Sequence, residues 1–274
     1  MALQPFIKCY LEIYMGQPGE DLGCVLPAKL EQCIFFSTDT VADIGMPLLS
    51  SDRTRITSED RCCYVRGSVR NSTLHLQIKG VLAMFVVIFK PTGFYRFFKM
   101  PAHHFSDTFT HADLSLGKDW EGLGHLIRET KTIDEKVSLT EKHMTSLMRK
   151  PLMPAGYIDD LIARLPTTPN ISVFQMARQS FLSERHFRRK FLERTGLDPQ
   201  TFARICRGNL AIKMKKANPD LSWRSIAFDT GYTDQSHFRK EMRALMGLAN
   251  STQSADQRFI DVQGTNFRIL EHRK

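Results

Sequence analysis

Between Ile171 and Asn250 the apolar residues recur at helical spacing in short runs, and the arrangement is written twice. In the first copy Val173, Met176 and Ala177 lie three or four apart and share one face. Ser183 follows as a natural N-cap, and Phe187, Phe191 and Leu192 form the next stripe. In the second copy Ile226 and Ala227 lie in a short helix that Gly231 ends by adopting positive φ. Thr233 or Asp234 then caps a helix whose inward residues are Phe238, Met242 and Leu245. His186-Phe187 returns as His237-Phe238, and Gly196-Leu197 as Gly247-Leu248, both 51 residues on. A repeat of this size is one supersecondary unit used twice. Each copy predicts a helix, a tight turn and a second helix, the geometry that sets one helix across a phosphate backbone and the next into a major groove. A joining helix from Pro199 to Ala217 separates them, with Phe202, Ile205, Cys206, Leu210 and Met214 inward.

Upstream the period is nearer two. Strands are expected at residues 6–15, 33–36, 41–44, 53–57, 62–69, 74–78 and 81–89. Turns fall at 16–19, 38–40, 58–60 and 71–72, and Gly80 reads as an interruption between the last two strands. After Lys90-Pro91-Thr92-Gly93 the period lengthens. An aromatic helix covers Phe94 to Met100 and stops at Pro101, and helical stripes follow at 119–129 and 134–150. Two prolines and a glycine between Lys150 and Gly156 mark a linker, and Tyr157 to Leu165 opens the next helix. The fold class expected is a two-domain α+β chain: a mixed, β-rich domain over 1–150, an all-α domain of two helix-turn-helix units over 151–255, and an extension over 256–274. Within that extension Gln257 to Lys274 is expected as two short strands turning near Gly264, packed on either domain or on neither.

Charge separates the halves. The chain carries 38 Lys and Arg against 29 Asp and Glu, a formal net charge of +9. From Pro151 onward there are 20 basic and 12 acidic residues, but 18 and 17 before it. The positive field therefore belongs to the helical half, as nucleic-acid binding requires. Cysteines at 9, 24, 33, 62, 63 and 206 form no C-x-x-C pair and no zinc-like spacing, so reduced core thiols are expected. The longest apolar passage, Val81 to Phe89, is too short to span a bilayer as a helix, and Met1 onward shows no signal-peptide pattern. A soluble, cytoplasmic protein is the expectation, without membrane, metal or cofactor.

The side chains left outside the apolar stripes carry the candidate chemistry. Arg185, Arg188 and Arg189 in the first unit, and Gln235, Ser236, Arg239 and Lys240 in the second, stand where base edges would be read. Arg can bind guanine bidentately and Gln adenine. Ser183, Arg204, Arg207, Lys213, Ser222 and Thr233 are the expected backbone contacts, from helix N-termini and the basic residues flanking them. Upstream, Phe94, Tyr95, Arg96 and Phe98 suggest either a small-molecule pocket with an anion-binding Arg or simple packing of helix on sheet. His103, His104, Asp107, His111 and Asp113 have spacings that metal sites use, although surface and turn positions use them more often. No H-E-x-x-H, phosphate loop or G-x-S-x-G elbow occurs.

The duplicated unit closely resembles the AraC/XylS family of bacterial transcription regulators. The resemblance is carried by Ala177, Ser183, Phe187, Arg189, Phe191, Gly196, Asp198 and Pro199, by Arg207 and Ala211, and by Ile226, Ala227, Gly231, Tyr232, Asp234, Gln235, Ser236, His237, Phe238 and Gly247. It departs at Asn250, where the family usually has proline, and at Met242 and Met246, more often aromatic there. The N-terminal order of elements, with its Phe89-Lys-Pro-Thr-Gly93 turn, is similar to the sensor domain of some of these regulators. The resemblance implies a sequence-specific double-stranded-DNA-binding regulator, an activator working with RNA polymerase, monomeric or homodimeric, with a small molecule or partner sensed upstream. Two other readings stand beside it. A DNA-repair methyltransferase joins a similar domain to a zinc-binding cysteine centre, and an architectural protein would bind DNA without base preference.

Overall fold

In the computed structural model the described residues are 2–15, 21–26, 28–38, 41–47, 53–56, 62–70, 74–148, 153–169, 171–246 and 268–272. In chain order the N-terminal half contains β1 (Ile7–Met15), β2 (Asp21–Leu26), β3 (Cys33–Ser37), β4 (Val41–Pro47), β5 (Arg53–Ile56), β6 (Cys63–Arg66) and β7 (Leu74–Phe89). Helix α1 (Gly93–Phe98), a 3-10 turn (Ala102–Phe105), β8 (Phe109–His111), α2 (Ala112–Ser115), α3 (Asp119–Glu129) and α4 (Ile133–Leu147) complete it. Then come α5 (Tyr157–Arg164), α6 (Val173–Gln179), α7 (Glu184–Thr195), α8 (Pro199–Ala217), α9 (Trp223–Asp229) and α10 (Gln235–Met246), and last β9 (Arg268–His272). Strands first and helices last is the two-domain α+β architecture that the periodicity implies.

Strand β7 is the spine of the nine-stranded sheet. Its first half is flanked by β2 and β4 and its second by β1 and β3, all antiparallel. Gly80 does not interrupt it, contrary to the sequence reading: it pairs with Ala42 and lies where β7 leaves β2 for β1. A glycine inside a strand allows the bend that such a change of partners requires. Strand β2 has no counterpart in the sequence reading. Its Asp-Leu-Gly-Cys run carries weak strand propensity, and pairing along β7 decides its conformation. Of the two strands expected in the tail, β9 is present and pairs antiparallel with β1, while the turn near Gly264 and Asn250 lie outside the described residues.

The lower face of the sheet is closed by helices through aromatic packing. Phe94 of α1 meets Phe89 and Phe105 edge-on at 5.4 Å and 5.2 Å, and Trp120 of α3 stacks on Phe36 at 6.4 Å. Ile34, Phe85, Val87 and Ile127 fill the space between them, all fully buried. Thr132 and Glu135 form a capping box that starts α4. One charged pair lies inside this core: Lys136 Nζ donates to Glu12 Oε1 at 2.6 Å, with the two side chains 4% and 6% exposed.

That pair gives a stability prediction. Lys136→Ala strands a buried carboxylate and should lower unfolding free energy by about 3–5 kcal/mol, whereas Glu12→Leu combined with Lys136→Met should recover most of the loss. Urea unfolding followed by circular dichroism of the three proteins checks it.

Candidate nucleic-acid interface

The helical half builds two copies of one motif, each around its own core. Met176, Ala177, Phe187, Phe191, Phe202 and Ile205 bury one, and Ala211, Ile226, Ala227, Tyr232, Phe238 and Met242 the other. Helix α8 supplies the first half of its length to one core and the second half to the other, so it fixes the two units relative to each other. The repeat extends to hydrogen bonds. Ser172 caps α6 and Ser222 caps α9, accepting from Gln175 N at 3.2 Å and Ser225 N at 3.1 Å. Ser180 Oγ donates to Met176 O at 2.9 Å and Thr230 Oγ1 to Ile226 O at 2.7 Å. Up to this point corresponding residues are 50 apart, and afterwards 51.

The extra residue lies in the second turn. Ser183 Oγ accepts from His186 N at 3.4 Å, and Asp234 Oδ1 from His237 N at 2.7 Å, so Asp234 rather than Thr233 is the cap. Gly231 takes φ 87°, where the first turn uses Phe181 at φ 55°, a strained setting for a phenylalanine that is also 83% exposed.

Helices α7 and α10 keep their candidate readers on the solvent side. Arg185, Arg189, Ser236, Arg239 and Lys240 are exposed, and Arg188 and Gln235 half-buried. Arg188 lies 3.9 Å from Glu184 and Arg189 3.5 Å from Glu193, pairs loose enough for a stronger acceptor to displace. Among the expected backbone contacts Ser183, Lys213, Ser222 and Thr233 are exposed. Arg204 and Arg207 are committed elsewhere, and charge alone did not reveal it. Arg204 Nη2 donates to Arg70 O at 3.1 Å, across to the N-terminal half. Arg207 lies over the Tyr232 ring at 5.3 Å and 3.7 Å from Glu241, tying α8 to α10.

The far ends of the same two helices are held by the N-terminal half. Buried Gln32 donates through Nε2 to Thr195 O at 2.7 Å, and Ser68 Oγ donates to the same carbonyl at 3.1 Å. Ser106 Oγ donates to Gly196 O at 2.6 Å. Ala28 N donates to Leu245 O at 2.9 Å near the end of α10. Next to Ala28 and Ser68, the two segments are joined by a bridge between Lys29 and Val69. Arg194, 3.3 Å from Asp159, also lies 5.1 Å above the Tyr95 ring.

Of the two readings of the aromatic group, the contacts observed are those of helix packed on sheet. Phe94 is fully buried and Phe98 packs among Phe89, Phe94, Phe97 and Trp120. Tyr95 faces Arg194, and Arg96 donates to Met153 O at 3.3 Å and Pro5 O at 3.4 Å. These four side chains join sheet, helix and linker, because rings this large are worth most when buried together. His103, His104, Asp107, His111 and Asp113 do not converge on one point among the described residues; Asp107 Oδ2 pairs with Arg70 Nε at 3.3 Å. Cys9, Cys33, Cys62, Cys63 and Cys206 are buried free thiols, and no group of several cysteines forms among the described residues. No helix described is long and apolar enough to cross a membrane.

Comparison with known proteins agrees with this geometry. Residues 176–253 match the model of a helix-turn-helix domain, and residues 1–111 that of a domain of unknown function, DUF6597. Residues 176–253 thus carry a helix-turn-helix domain of the kind found in AraC/XylS transcription regulators. That domain supports a DNA-binding transcription regulator. The fold of the chain is similar to that of ToxT from Vibrio cholerae, at 10% identity and a TM-score of 0.50, covering 92% of this chain and 98% of ToxT. A second ToxT structure, bound to (E)-4-(8-methylnaphthalen-1-yl)but-3-enoic acid, aligns at 11% identity and a TM-score of 0.50, over 92% of this chain and 99% of that one. No curated protein sequence matches.

Gly196 joins the two halves under a double constraint. Its φ is 77°, and a Cβ there would lie 2.6 Å from both Ser68 Oγ and Ser106 Oγ. Gly196→Ala should therefore cost about 1–3 kcal/mol of stability through backbone strain alone, with further loss from the displaced serines. Differential scanning calorimetry against the parent protein measures it.

Proposed function

We propose that this chain, a regulator of the AraC/XylS kind, activates transcription by placing α7 and α10 in successive major grooves on one face of a promoter. Arg185, Arg188 and Arg189 read bases in one groove, and Gln235, Ser236, Arg239 and Lys240 in the next, about 34 Å along the duplex. The Ser183 and Ser222 hydroxyls already accept helix N–H bonds, so at these ends the remaining first-turn N–H groups meet phosphate oxygens. Lys213 and Thr233 add to that contact. Arg204 and Arg207 assist from their present ties, by holding α8 to the N-terminal half and to α10. One chain covers two grooves, so a monomer suffices for recognition, and bound in this way it recruits RNA polymerase.

The observation that carries this reading is the grip of the N-terminal half on the trailing ends of α7 and α10. Domain 1–150 thereby sets the spacing and angle between two reading helices in domain 151–255, and β9, within the extension over 256–274, pairs with β1 of its sheet. An effector that shifts the segments around Gln32, Ser68 or Ser106 changes which promoters the two helices fit together. ToxT has been observed with a small apolar carboxylic acid bound. We extend to this chain a small-molecule effector acting through the N-terminal domain.

Two measurements test the proposal. Arg185→Ala or Arg189→Ala should relax preference at particular base pairs by about 1–3 kcal/mol in binding-site selection from random duplexes. Lys213→Ala should instead weaken all sequences alike and reduce the slope of log affinity against log salt by about 1. Unchanged preference in both arginine variants overturns the assignment of α7. The grip is tested with half-sites moved apart by one base pair. The parent protein should lose affinity for the altered spacing, and Gln32→Ala with Ser106→Ala should lose less. Equal losses in the two proteins would show that the N-terminal half does not set the spacing.

A further inference from the structure

A cluster in the N-terminal half lies apart from the DNA interface and from the grip on its helices. Cys62 precedes β6 and is completely buried. Across from it α3 presents Glu121 and His125, four residues apart and therefore on one face. The possible ligand atoms of Cys62, Glu121 and His125 all lie within 4.8 Å of one another. Cys62 Sγ is 3.1 Å from Glu121 Oε1, which also accepts from Cys62 N at 2.6 Å. The other carboxylate oxygen, Glu121 Oε2, is buried with no hydrogen-bond partner. Helix and thiol come this close because residue 124 is glycine: a Cβ there would lie 2.6 Å from Cys62 Sγ.

We propose that Cys62, Glu121 and His125 form a binding site for one divalent cation of borderline softness, of the Zn2+ class. Thiolate, imidazole and carboxylate are three of the donor types that zinc takes, and three protein ligands leave its fourth tetrahedral position open. Calcium and magnesium prefer oxygen donors throughout, so sulfur and nitrogen select against them. The ligand charges suit a buried site, since one thiolate and one carboxylate neutralise one divalent ion. In its absence burial, reinforced by the Glu121 carboxylate, pushes the Cys62 thiol up to about 12, while Arg128 acts in the opposite direction. Binding therefore displaces the thiol proton to solvent as the metal–sulfur bond forms. His125 is exposed at the rim and gives the ion its way in.

Cobalt(II) reports this site, because a cobalt–thiolate bond gives a near-ultraviolet charge-transfer band. Purified full-length protein titrated with Co2+ should show that band with one ion bound per chain, and Zn2+ should abolish it by displacement. His125→Ala changes an exposed side chain and should leave the fold intact while weakening Co2+ at least about a hundredfold, more than the loss of an outer-shell partner usually brings about. Cys62→Ser should remove the band, and His104→Ala, at an exposed histidine elsewhere, should leave it unchanged. Absence of the band, or a band that persists undiminished in either His125→Ala or Cys62→Ser, overturns the proposal.

Discussion

The carbonyl groups at the C-terminal ends of α7 and α10 are the constraint on which the rest depends. The last turn of any helix leaves carbonyls without helical partners, and burying them requires donors from elsewhere. Here the donors come from the other half of the chain: Gln32 and Ser68 to Thr195, Ser106 to Gly196, and the Ala28 amide to Leu245. Small residues are needed for that approach, and the close contact of Gly196 with both serines leaves no space for a side chain. The negative ends of both helix dipoles thus lie in protein, and the opposite ends, capped by Ser183 and Asp234, look outward where phosphate would approach.

This arrangement ties both helices to the sheet-bearing half of the chain. Strand β7 pairs with four neighbours, and its apolar half runs directly under the aromatic layer that holds α1 and α3. The segment from Cys62 to Ser68 makes two long-range contacts along one short stretch of chain. At its start Cys62 faces Glu121 and His125, and at its end Ser68 holds the Thr195 carbonyl. Gly124 and Gly196 have the same part at both places, allowing a helix to close on polar side chains that any larger residue would push away.

The double motif could be read from the chain because its apolar spacing, caps and turn glycine are local properties. Nearly every helix from Tyr157 to Met246 is where its periodicity places it, and Pro199 to Ala217 agrees to the residue. The halves could be told apart by charge and by the prolines and glycine between Lys150 and Gly156 for the same reason. Local patterns were less informative in the sheet. Gly80 looks like a break until the exchange of partners along β7 is seen, and Asp21–Leu26 becomes a strand only because β7 offers it an edge.

By itself, then, the sequence determined the helix pairs, their outward-facing arginines and glutamine, and the family they resemble. Tertiary structure alone decided what those residues are tied to. Arg204 and Arg207 carry the same charge as Lys213, but packing of α8 commits them to Arg70 O, Glu241 and Tyr232. Phe94 to Phe98 had two readings until ring geometry showed them packed against sheet and linker. Cys62 and Glu121 are separated by 59 residues of chain and meet only because α3 folds over the start of β6. Short-range spacing encodes which face of a helix is buried; meetings across such separations depend on the packing of whole elements, which no local pattern records.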